Sequence, residues 1–145
     1  MPTPSYDPPQ RVRRLPTWLL GQADKRGQAL VADALARDGL RRHHFVVLTS
    51  LAEQGDASQA ALGRRLSIDR SDLHAIAGEL ERQGLIARVR DAADRRRNVV
   101  TITAAGRAAL TRLDGLIDDA QRELLAPLSA SERRSLVRLL ERLTA

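Results

Sequence analysis

Apolar residues recur at Leu15, Trp18, Leu19, Ala23, Leu30, Ala34 and Leu35, mostly three or four apart, which predicts an amphipathic helix from Leu15 to about Arg37. Pro16 suits its first turn, where a missing N–H has no intrahelical partner to lose, and Asp38-Gly39 ends it. A second helix is expected from Arg41 to Gln54, with Phe45, Val46, Leu48, Leu51 and Ala52 apolar and Gly55 closing it. Ser58 can cap a short helix to Leu66, and Asp69 a longer one to about Gln83. In that longer helix Leu73, Ile76, Ala77 and Leu80 form the buried stripe, and Gly84 terminates it. The period then changes: LIARV (85–89) and NVVTI (98–102) are β-branched runs around the charged loop RDAADRRR, the pattern of a two-stranded hairpin. Thr103 caps a further helix whose apolar positions Leu113, Ile117, Ala120 and Leu124 repeat like a heptad seam until Pro127. Ser129 to Glu132 is a capping box that opens a last helix carrying Leu136, Leu139, Leu140 and Leu143.

Two helices joined by the three residues Ser67-Ile68-Asp69 make a helix-turn-helix. Gly63 is small where the two must cross, Ile68 plugs the turn, and Leu73 and Ile76 face the first helix. A hairpin directly after such a pair is a wing. Its second helix fits a DNA major groove while the hairpin tip reaches the neighbouring minor groove. Arg95, Arg96 and Arg97 suit that tip, because a narrow minor groove concentrates negative potential and a guanidinium is always charged. Asp91 and Asp94 are expected to hold the wing in shape by pairing with one or two of these arginines, leaving Arg96 or Arg97 to point outward.

The fold class is therefore mainly α with a small β-hairpin. A chain of 145 residues accommodates one such domain, and its core must come from Leu, Ala, Val and Ile, since it has one Trp, one Tyr and one Phe. Four prolines in the first nine residues mark 1–12 as a flexible arm before a domain at 13–145. Within it 56–102 is the winged helix-turn-helix, and 15–54 and 103–145 are helices. The net charge is +6, and its distribution matters more than its size: 58–107 carries 10 basic and 6 acidic residues, whereas 108–145 carries 6 of each. A basic centre with a balanced flank is what a nucleic-acid-binding module with a separate assembly region shows.

With no cysteine, disulfides, thiol redox sensing and Cys-type zinc sites are excluded. No secretory signal and no apolar run of membrane-spanning length is visible, so a soluble, cytoplasmic protein is expected. His43 and His44 are adjacent on a helix and diverge by roughly 100°, unlike an i,i+4 metal pair, so no metal is expected. Ser71 and His74 share a helix, but no G-x-S-x-G elbow, P-loop or dinucleotide motif accompanies them, so neither an enzyme nor a cofactor is expected.

From Ser67 to Leu110 the chain resembles the MarR family of winged-helix transcriptional regulators. The resemblance rests on IDRS at the start of the second helix, L-E-x-x-G-L-I at its junction with the hairpin, D-x-x-D-R-R in the wing and T-x-x-G-R at the next helix. The order of helices on both sides extends it from Leu15 onward. It implies a homodimer assembled through a helical domain of N- and C-terminal helices, with Leu113, Ile117, Ala120, Leu124, Leu136 and Leu140 at the interface. It implies binding of double-stranded DNA at a pseudo-palindromic operator, most often as a ligand-relieved repressor. Arg96 is then the minor-groove residue, and Arg70, Ser71, Asp72, His74 and Ala75 match the base- and phosphate-facing positions, with Ser58 and Gln59 beside them. Asp72, His74 and Ala75 depart from the hydroxyl residues and arginine common there. Asp72 can accept from a cytosine amine, and His74 can donate to a purine N7. Trp18 anchors a core or interface, or lies with Arg14 and His44 in a pocket for a small aromatic or phenolic ligand. The alternative is a helical protein-interaction module with a basic surface and no sequence-specific DNA binding.

Overall fold

A computed structural model describes residues 7–145. Residues 1–6, half of the segment expected to be a flexible arm, lie outside the described residues, and Gln10–Arg13 form a single helical turn, α1. The elements that follow are α2 (Pro16–Ala36), α3 (Arg42–Gln54), β1 (Ala57–Ser58), α4 (Gln59–Leu66), α5 (Arg70–Arg82), β2 (Ile86–Arg90), β3 (Asn98–Ile102), α6 (Ala104–Leu124) and α7 (Ala130–Thr144). The fold is mainly helical with a small antiparallel sheet.

Local chemistry explains the boundaries. Gly39, Gly55 and Gly84 stand at positive φ (68°, 81° and 72°) just past α2, α3 and α5. Ser58 Oγ accepts from the Ala61 amide at the start of α4, Asp69 caps α5, and Ser129 and Glu132 cap α7 reciprocally. The expected hairpin gains a third strand: the sheet order is β1-β3-β2, with Ala57 opposite Val100 and Ile86 opposite Ile102.

Two compact units emerge. Residues 32–119 hold α3, the helix-turn-helix, the sheet and most of α6; residues 7–31 and 120–145 form the other. The first unit contains the core: Leu35, Leu48, Leu51, Leu62, Leu73, Leu80, Ile86, Val100 and Leu113 are all but inaccessible to solvent. The expected stripe Leu73, Ile76, Ala77 and Leu80 is buried throughout. On α3 the buried face is His44, Val47, Leu48, Ser50 and Leu51; of the apolar residues expected on this helix Leu48 and Leu51 are buried, whereas Phe45, Val46 and Ala52 are only half-buried. The unit boundary also differs from the division expected at 54 and 103, because Val47, Leu48, Leu51 and Leu113 build the same core as the winged helix. Leu113 is thus a core residue of its own chain, with no surface left for a dimer seam.

Candidate nucleic-acid interface

The helix-turn-helix is held close by backbone approach. A Cβ built on Gly63 would lie 3.1 Å from the Ile68 carbonyl oxygen and 3.3 Å from Leu73 Cδ2, so only glycine lets α4 and the turn meet without displacing a neighbour. Ser67 takes the left-handed conformation (φ 53°), and the Ile68 amide donates to the Gly63 carbonyl at 3.0 Å, closing α4. At α5 the Asp69 carboxylate accepts from the Ser71 and Asp72 amides (2.7 and 3.2 Å) and from the Ser71 hydroxyl (2.6 Å). These hydrogen bonds, the hydroxyl's first, hold the Asp69 carboxyl below its usual range. The first amides of α5 are therefore spent on Asp69, and phosphate contacts there fall to side chains.

The stripe Ser71, His74 and Ala75 faces solvent opposite the buried stripe, with Asp72 exposed beside it. Between α4, α5 and the hairpin lies a cleft of about 910 Å³ lined by Ser58, Gln59, Arg70, Arg96 and Arg97 among the expected residues. A second concavity, of about 530 Å³, brings Gln59, Arg70, Ser71 and His74 together. Arg95, Asp72 and Ala75 are exposed but line neither.

Three polar or charged cleft residues are absent from the expected set: Arg64 on α4, Arg88 on β2 and Asn98 on β3. The strand period was a sufficient signal for Arg88, which stands two residues after the buried Ile86, hence on the same sheet face, and opposite Val100. Its Nε lies 3.0 Å from Glu81 Oε2.

The wing is shaped differently from expectation. Asp91 Oδ1 accepts from the Ala93 amide (2.9 Å) and Asp94 Oδ1 from the Arg96 amide (3.0 Å), while neither carboxylate pairs with an arginine side chain. Two short Asx turns fold the tip, and all three arginines are exposed. At its base, Thr103 Oγ1 donates to the Gly84 carbonyl (2.6 Å) and accepts from the Gly106 amide (3.0 Å). A Cβ on Gly106 would stand 2.0 Å from the Leu85 carbonyl oxygen, so glycine is the only residue that seats α6 against the foot of the wing.

Away from the cleft, Glu79 on α5 accepts from the Arg41 guanidinium and from His44 Nε2 (2.6 Å), and the Arg41 amide donates to His44 Nδ1 (3.1 Å). His44 is buried whereas His43 is exposed; both ring nitrogens of His44 are engaged, and it lines a concavity of about 490 Å³ together with Arg41 and Glu79. Arg41 first and His44 second hold the Glu79 carboxyl below its ordinary range. Arg14 is exposed and Trp18 half-buried in the unit of 7–31 and 120–145. Among the described residues no helix is long and apolar enough to cross a membrane.

Comparison with known proteins agrees with this geometry. A family model described as MarR family matches residues 38–97, which take in the helix-turn-helix, β2 and the wing tip. The HTH-type transcriptional repressor Rv2887 of Mycobacterium tuberculosis is 33% identical over 113 residues, covering 78% of this chain and 81% of that one. The crystal structure of Rv2887 with DNA, 28% identical, superposes with a TM-score of 0.78 over 96% of this chain and 100% of that one. The Rv2887 complex with p-aminosalicylic acid, 30% identical, superposes at 0.73 over 90% and 99%. With motif, fold and relatives in agreement, the chain belongs to the MarR family of winged-helix transcriptional regulators.

Proposed function

We propose that this protein is a homodimeric repressor that binds a pseudo-palindromic operator through α5 and the wing and is released by a small aromatic carboxylate. One observation carries the DNA-binding reading: Arg64, Arg70, Arg96 and Arg97 converge on one cleft, and among the described residues none of the four side chains is paired with a carboxylate. Unpaired guanidinia can meet phosphates or a minor groove without first breaking an internal ion pair. Asp72, His74 and Ala75 then face the bases, and Ser58, Gln59 and Arg95 flank them.

Assembly as a dimer is supported by where apolar surface remains. Among the described residues seven large apolar side chains are exposed, and six of them, Leu15, Leu19, Leu20, Val137, Leu139 and Leu143, lie in 7–31 or 120–145, the seventh being Val89 on β2. Among the described residues the unit of 7–31 and 120–145 buries only Pro8 and Ala120 of its apolar side chains, so it has faces in want of a partner. Ile117, Leu124, Leu136 and Leu140 are half-buried and keep part of their apolar surface open. For the ligand, Rv2887 has been crystallised with p-aminosalicylic acid, and Arg14 and Trp18 offer a cation and a ring to a compound of that class.

The test is fluorescence anisotropy with a duplex from the gene's own upstream region and a scrambled duplex, at two salt concentrations, for wild type and Arg96→Ala. Selective binding weakened by the substitution is expected. Equal, salt-sensitive binding to both duplexes would leave only a basic surface and overturn the operator reading. Quenching of Trp18, the only tryptophan, by salicylate tests the ligand.

A further inference from the structure

His74 is exposed on α5, and its hydrogen-bond partner comes from the other helix of the pair: Gln59 Nε2 lies 3.4 Å from His74 Nδ1. An amide nitrogen donates and never accepts, so Nδ1 is the acceptor and the proton of the neutral ring sits on Nε2. The outward atom of the ring is therefore a donor. Gln59 is itself half-buried in the first turn of α4, directly after the strand residue Ser58, so its amide projects from an anchored backbone. The neighbouring hydroxyl cannot substitute, since the Ser71 proton is directed at Asp69.

We propose that His74, held in this tautomer by Gln59, selects a purine at one position of each operator half-site by donating from Nε2 to N7, with Gln59 as the positioning residue. The inference rests on the operator binding proposed above. In the major groove N7 is an acceptor on both guanine and adenine, whereas cytosine presents a donor amine and thymine a methyl beside its O4. A fixed donor thus suits either purine and is repelled by the cytosine amine, while thymine offers its O4 only beside the C5-methyl.

The experiment starts from a duplex selected by the wild-type protein from a randomised pool. Each purine is replaced in turn by its 7-deaza analogue, and affinity is measured by anisotropy for wild type, His74→Ala and Gln59→Met, with thermal denaturation confirming that each is folded. One position per half-site should lose about fivefold in wild-type affinity on loss of N7. That sensitivity should vanish in His74→Ala. Gln59→Met, which keeps side-chain bulk but removes the amide, should diminish it. The imidazole nitrogen NMR signals of His74 should report the Nε2–H form in wild type and a mixture of tautomers in Gln59→Met. Selective wild-type binding with no position at which 7-deaza substitution separates wild type from His74→Ala would overturn the inference and leave the regulator intact. A predominant Nδ1–H form in the folded wild type would overturn it as well. A folded wild type that selects no duplex from the pool would sink the operator reading and this inference with it.

Discussion

Asp94 shapes the tip of the wing without neutralising it, because its carboxylate accepts from the Arg96 backbone amide and leaves the guanidinium alone. Charge counting and geometry then predict opposite outcomes for Asp94→Ala. Removal of an anion near phosphates should tighten binding, whereas loss of the Asx turn should let the tip splay. Geometry decides selectivity: affinity for the selected duplex should fall about threefold while affinity for a scrambled duplex holds or rises, as measured by anisotropy. Glu79 offers a second residue-scale test. Its carboxyl is held below the ordinary value by Arg41 and His44, so the folded state binds a proton there less readily than the unfolded chain. The stabilisation is present above the unfolded carboxylate value of about 4.3 and is lost as pH falls through the lower folded value. Thermal denaturation should therefore show wild type more stable than Glu79→Gln at neutral pH, with the gap closing in acid. A gap that widened on acidification would contradict the arrangement.

Between elements, the foot of the wing is the most demanding joint. Gly106→Ala places a methyl 2.0 Å from the Leu85 carbonyl oxygen, backbone that cannot swing aside, and should destabilise by about 3 kcal/mol with distorted wing placement. Urea denaturation combined with DNA binding checks both effects. This is also the scale at which sequence reading succeeded and failed. The helix-turn-helix was legible because its signals are local: Ser58 and Asp69 as caps, Leu73 to Leu80 as stripe, Gly63 at the crossing. β1 was not legible, since a strand of two residues has no period and exists only because β3 offers it an edge. The carboxylates of the wing were identified correctly but assigned the wrong partner, because spacing cannot distinguish a side-chain cation from a backbone amide two residues on.

At the scale of the whole molecule, heptad spacing locates an apolar face but does not say whether that face meets the same chain or another one. Leu113 meets its own core, so Leu113→Ala should cost about 2 to 5 kcal/mol in unfolding. Leu143, 71% exposed near the end of α7, belongs to the apolar surface assigned to a second copy in the proposed dimer. Leu143→Asp should leave the winged-helix unit folded by circular dichroism yet halve the mass measured by light scattering at micromolar concentration. Unchanged mass would remove this end of α7 from the proposed interface.

The seat of Gly106 also bears on how such a regulator can diverge. Every single-nucleotide change that replaces this glycine introduces a side chain, so the foot of the wing is closed to drift while the fold persists. Asp72, His74 and Ala75 stand exposed and contribute nothing to the core, so their replacement carries little penalty in stability. If α5 reads the operator as proposed, a lineage built on this chain can exchange one target sequence for another by substitutions on that helix, passing through folded intermediates, with the wing delivered to the same place each time.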